Sequence, residues 1–138
     1  MKWKIALLAG LATLSLAASG MTPAHAVVTG NWTLLDDSSQ AQTYACRVPG
    51  VGGTTVRFLL DGLGSEAKAG MGVYKVNKTS NKLMSWLHFS LLLEQSTAQG
   101  ELFVPDDRRY MVNASLGSDD PFGYWNSQWV NVPDLVLC

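Results

Sequence analysis

Histidine and cysteine, the side chains that most often carry metals and nucleophilic chemistry, are nearly missing from this chain: two of each among 138 residues. One histidine, His25, falls in an N-terminal leader, which leaves His88 alone. A single imidazole without a second histidine or a nearby thiol lacks the ligand count of a zinc site. Positive charge is equally thin. Without Lys2 and Lys4 of the leader, eight basic residues face eleven acidic ones, a formal charge of −3. Such a chain has no electrostatic footprint for nucleic acid or for an anionic membrane. Beyond the leader no apolar run approaches the ~20 residues of a spanning helix. Helical periodicity is absent as well, apart from one possible turn at Ser65–Ala69. No internal repeat or linker divides the chain.

What is present begins with export. Lys2 and Lys4 precede an apolar run from Ile5 to Ala18, and small residues lead to Ala24-His25-Ala26. Charged, apolar and A-x-A regions in that order form a secretory signal peptide, of bacterial type by its length and Ala-rich tail. Cleavage after Ala26 leaves residues 27–138 as one domain, secreted or held in the cell envelope, with no membrane segment of its own. An exported pair of cysteines, Cys46 and Cys138, is most simply a disulfide. It fastens the last residue to a position early in the domain.

Short stretches of strand character follow at intervals of about a dozen residues. They are 31–35, 43–48, 55–61, 71–77, 83–93, 101–104, 109–116 and 127–132. Pro, Gly, Asp and Asn cluster between them, and these residues fix or free φ and bond their own backbone. The pattern predicts an all-β fold, an antiparallel sandwich or small barrel of seven to eight strands. The most apolar run, Leu83–Leu93, is apolar at both odd and even positions. It reads as a strand buried on two faces in the middle of the sandwich, with a buried helix as the alternative.

Catalytic motifs are scarce. Gly62-Leu63-Gly64-Ser65-Glu66-Ala67 has the form G-x-G-x-x-A, but Gly70 and Gly72 would break the helix that a dinucleotide needs there. It reads as a turn. No G-x-S-x-G elbow occurs. A hydrolase would have to use His88 with an Asp and a Ser. Three Asp pairs, 36–37, 106–107 and 119–120, fall in expected turns, where carboxylates suit either calcium or a solvated loop. None has a recognised calcium-loop spacing, so no metal or cofactor is assigned. The sequons at Asn31, Asn77 and Asn113 carry no function in a bacterial export product.

The most distinctive stretch lies late in the chain. Phe122, Tyr124, Trp125 and Trp129 fall within eight positions, interleaved with Asn, Ser and Gln and preceded by Asp119 and Asp120. Aromatic faces beside amides and hydroxyls suit a surface that stacks on sugar rings or anchors a protein partner. Trp32 and Trp86 either add to it or sit in the core. The expected function is a non-catalytic extracellular or envelope binding module for a glycan or protein ligand, with those six residues as its surface. Two alternatives stand beside it. One is a secreted inhibitor or toxin-neutralising protein presenting the Val48–Thr54 loop, and the other is a small hydrolase built on His88.

Overall fold

A computed structural model of the protein describes residues 28–38, 40–63, 69–91, 97–107, 109–119 and 122–138, with backbone alone at 118–119 and 122–125. The expected leader, residues 1–26, lies outside the described residues. So do Ser65–Ala67 of the glycine-rich stretch, although Gly62 and Leu63 do form a turn, Leu63 with φ +53°.

Eight strands form two antiparallel four-stranded sheets, a sandwich rather than a closed barrel. They are β1 (Thr33–Asp37), β2 (Gln42–Gly50), β3 (Gly53–Asp61), β4 (Ala69–Asn77), β5 (Leu83–Ser90), β6 (Thr97–Pro105), β7 (Tyr110–Asp119) and β8 (Phe122–Val130). The first sheet has the order β1-β2-β3-β6 and the second β5-β4-β7-β8. The chain therefore crosses between sheets after β3, β5 and β6. A single 3-10 turn, Val132–Asp134, follows β8.

The core follows from strict alternation. Val56, Phe58 and Leu60 of β3 point inward, and Met71 and Val73 of β4 meet them with Val112, Ala114 and Leu116 of β7. These side chains are essentially removed from water, each burying apolar surface at about 25 cal/mol per Å². Small residues set the spacing where the sheets converge. At Gly100 of β6 an added Cβ would lie 3.1 Å from Leu87 and Phe89 of β5. The opposite flank is joined by Gln128 of β8, whose side-chain amide donates to the Leu35 carbonyl of β1.

The run at 83–93 is a strand over Leu83–Ser90, but not the central one. Among the described residues β5 pairs with β4 alone and forms the edge of its sheet. Leu87 and Phe89 pack inward, whereas Met84, Trp86 and His88 project to solvent. Alternation reports which face a residue occupies and carries no information about lateral position in a sheet. The place expected for this run belongs to β3 and β4. The stretch Ala69–Val73 is buried on both faces, and its Ala and two Gly residues hide that burial from a hydropathy reading.

The disulfide is present: Cys46 of β2 is bonded to Cys138, with their Cα atoms 5.0 Å apart. The segment it holds takes the lane that β1 leaves vacant beside β2. Arg47 N donates to Val136 O at 2.9 Å, Cys138 N donates to Arg47 O at 3.1 Å, and Arg47 pairs in parallel with Leu137. Val136 N donates to Thr33 Oγ1, which ties the segment to the start of β1. No helix among the described residues is long and apolar enough to cross a membrane.

Candidate functional site

The aromatic stretch at 122–129 folds as a strand, β8, so its residues are spread along a hairpin and not gathered in a loop. Asp119 pairs with Phe122 at one end of the β7–β8 ladder, Tyr124 pairs with Gly117, and a bulge falls at Trp125. Asn113 pairs with Trp129 near the other end. Six residues of β7 separate the two ends, roughly 20 Å at the rise of an extended strand. Asp120 lies outside the described residues, as do the side chains of Asp119, Phe122, Tyr124 and Trp125. Trp129 is described, and its side chain is 58% exposed.

Strand register places other residues beside Trp129. Trp86 of β5 pairs with Tyr74 of β4, Tyr74 with Asn113 of β7, and Asn113 with Trp129 of β8. This row crosses the outer face of the β5-β4-β7-β8 sheet. Its two tryptophans, Trp86 at 62% and Trp129 at 58% exposure, stand three strand spacings apart, roughly 14 Å. The next row reads His88, Gly72, Ser115 and Ser127. Gly72 is needed there because the Tyr74 ring lies back across it: an added Cβ would sit 2.9 Å from Tyr74 Oη.

Between the aromatics lies a small polar network. Asn113 Oδ1 accepts from the Ser115 hydroxyl at 3.0 Å and from the Ser127 hydroxyl at 2.8 Å, and the two hydroxyls lie 3.1 Å apart. With the amide oxygen engaged, Asn113 keeps its Nδ2 donor and Ser127, which is exposed, its hydroxyl lone pairs, while Ser115 is buried beneath them. Aromatic planes flanking fixed amide and hydroxyl groups match the amphipathic surface of a sugar, apolar at its C–H faces and polar at its rim. Sequence reasoning found Trp129 and raised Trp86. It missed Tyr74, Asn113, Ser115 and Ser127, because only the pairing register brings them together.

The other expected sites are placed as follows. His88 stands on the outer face opposite Gly72, which offers no side chain across the strand pair. Ser115 lies one strand farther, roughly 10 Å away by strand spacing, and its hydroxyl is bonded to Asn113. Asp37 accepts from Gln42 Nε2 at 2.7 Å, and Asp107 accepts from Arg109 Nη2 at 2.8 Å. Among the described residues no group of three or more His, Cys, Asp or Glu side chains is arranged to hold a metal ion. The Val48–Thr54 loop is the tip of the β2–β3 hairpin. Val51 stands fully exposed at its apex and Gly52 takes φ +75°, a backbone conformation that suits glycine.

A cleft lies at the end of the sandwich that carries this hairpin, the β6–β7 turn and the segment after β8. Its volume is about 790 Å³, and its lining includes Arg47, Lys78, Asp106, Tyr110 and Trp129. Comparison with known proteins gives no relative from which to read a function: no family model matches the chain, nor does any curated protein or any solved structure.

Proposed function

We propose that the protein is a non-catalytic binding module, secreted or held in the cell envelope, that takes glycans on the outer face of the β5-β4-β7-β8 sheet. The observation that supports this reading is the row Trp86–Tyr74–Asn113–Trp129. It combines two exposed indoles with a side-chain network of Asn113, Ser115 and Ser127, of which Ser127 is exposed. Exposed tryptophans on a small domain cost solubility, and a pair aligned across one sheet suits a ligand that covers both. Export through the 1–26 leader is part of the same reading, and N-terminal sequencing of the mature protein should begin at Val27.

The test is titration of soluble oligosaccharides against the purified domain, followed by tryptophan fluorescence and by chemical-shift changes at Asn113 and Ser127. Trp86→Ala and Trp129→Ala should each weaken binding at least tenfold with little change in melting temperature. Unaltered affinity in both variants, or no glycan bound by the parent protein, overturns the reading. One observation favours a second reading. Val51, an apolar residue fully exposed on a hairpin braced beside a disulfide, has the geometry of an inhibitory loop presented to an enzyme. Val51→Asp would abolish inhibition of a captured secreted hydrolase and leave glycan binding intact.

A further inference from the structure

The cleft at the hairpin end contains Arg47, a cation with no ion pair among the described residues. Arg47 occupies an inward position of β2, opposite the buried Val56, at the point where the core runs out. The residue as a whole is half-buried. Nε donates to the Leu135 carbonyl at 2.7 Å, which fixes the plane of the group. No carboxylate pairs with it among the described residues. Partial burial of an unpaired cation is unfavourable, so a half-buried arginine held rigid against a carbonyl is prepared for an anion from outside.

The walls define what that anion carries. Lys78, on the β4–β5 turn, adds a second cation, and Asp106 is the one carboxylate among the lining residues. Tyr110, Val112, Trp129 and Val132 add apolar surface, beside the polar Thr54 and Asn131. A volume of about 790 Å³ falls within the roughly 300–1,000 Å³ of small-molecule sites, which pair apolar walls with a few fixed polar groups.

The geometry points to a binding site for an organic carboxylate with an apolar body, its carboxylate paired to the Arg47 guanidinium and its body lying against Tyr110 and Trp129. The free C-terminus of an apolar peptide and a free aryl or alkyl acid share this chemistry. A guanidinium whose plane is fixed through Nε, with no Nη bond among the described residues, suits the two oxygens of a carboxylate, the strongest hydrogen-bond pairing available to arginine. The site is separate from the glycan face in all but Trp129.

The experiment uses the intact exported protein and two matched probe pairs: 4-phenylbutyrate with its amide, and N-acetyl-Leu-Phe with its C-terminal amide. Calorimetry and Trp129 fluorescence should show each acid binding at least tenfold more tightly than its amide. The ratio of the two acids tells whether the body is a peptide or a simple chain. Arg47→Gln should remove that preference. Lys78→Glu, at an exposed position that leaves folding intact, should weaken the acids severalfold and leave the amides unchanged. Trp86→Ala should not affect the acids, which separates this site from the glycan face. Equal affinity for acid and amide, failure of both acids to bind, or an unchanged acid preference in Lys78→Glu would overturn the assignment.

Discussion

Removing the disulfide gives the most quantitative test of how this fold is held. Cys46 and Cys138 are 92 positions apart, so their bond closes a loop of 93 residues. The chain-entropy relation assigns such a loop about 4.7 kcal/mol at 25 °C, most of it through restriction of the unfolded chain. The native state loses little in the exchange. The bonds from Arg47 to Leu135, Val136 and Cys138, and from Val136 to Thr33, hold the segment without the sulfur link, and Leu135 is buried. The appropriate variant is Cys46→Ala with Cys138→Ala, because Cys46 is buried and serine would place a hydroxyl there. With a urea m-value of about 2 kcal/mol per M, typical of a domain this size, the midpoint should fall by roughly 2 M. That is a large part of a total stability of about 5–15 kcal/mol. Equilibrium urea unfolding followed by fluorescence measures it directly. A midpoint shift below about 0.5 M, on the order of 1 kcal/mol by the same slope, would refute the claim that the bond acts chiefly on the unfolded chain.

Three further outcomes follow from particular contacts. Phe58 is completely buried between the sheets, so Phe58→Ala should cost about 3–5 kcal/mol in chemical denaturation, whereas Trp86→Ala on the exposed face should stay within about 0.5 kcal/mol. Reversal of that order would reassign both positions. Two glycines separate in the same way. Gly72→Ala meets only the movable end of Tyr74, so it should lower stability by about 1 kcal/mol or less while displacing the ring and weakening glycan binding. Gly53→Ala meets the backbone oxygen of Val104 at 2.5 Å and should cost about 1–3 kcal/mol, with equal losses at the two sites counting against the reasoning. Tyr44 provides the pH test: partial burial, aided by the carboxylates of Asp61 and Asp37, raises its pKa above the ordinary phenol value. The folded state then holds the phenolic proton more firmly than the unfolded chain. Its contribution is complete below about pH 10 and is lost as pH rises through the folded value. Tyr44→Phe should remove that alkaline decline, and a phenol titrating at or below its ordinary value in an ultraviolet titration would contradict it.

The fold was legible because its signals are local. Turn chemistry at Pro49–Gly53 and at Pro105–Asp107 brackets β3 and β6, and alternation within 109–116 assigns the inward face of β7. The cysteine pair needed only the inference that an exported chain oxidises its thiols. Lateral position was not legible. Apolar residues on both sides of 83–90 mean burial in a central strand, but on an edge strand they mean one packed face and one face left open. Composition also misled at 117–123, where Gly, Ser, Asp and Pro marked a turn between strands expected at 109–116 and 127–132, yet β7 runs to Asp119 and β8 starts at Phe122. The outer-face row depends on four strands in register, and no single segment records that.

The cleft and the disulfide are coupled through one residue, which gives a final prediction. Arg47 bonds the held segment three times: through its N–H to Val136 O, through its carbonyl to Cys138 N, and through Nε to Leu135 O. Only the last fixes the guanidinium plane, and the segment that supplies its acceptor also supplies Val132 and Pro133 to the cleft wall. Without the sulfur link the segment relies on burial of Leu135 and on a few hydrogen bonds, each worth about 0.5–1.5 kcal/mol net. Local opening then becomes far more frequent than global unfolding. The outer-face row has no such dependence, because β4, β5, β7 and β8 are paired with one another. In the Cys46→Ala/Cys138→Ala variant without denaturant, 4-phenylbutyrate affinity should therefore fall measurably while oligosaccharide affinity stays unchanged. Amide exchange should locate the change at Leu135–Cys138 and Arg47. Parallel loss of both affinities would mean that the bond supports the sandwich as a whole and does not specifically position Arg47.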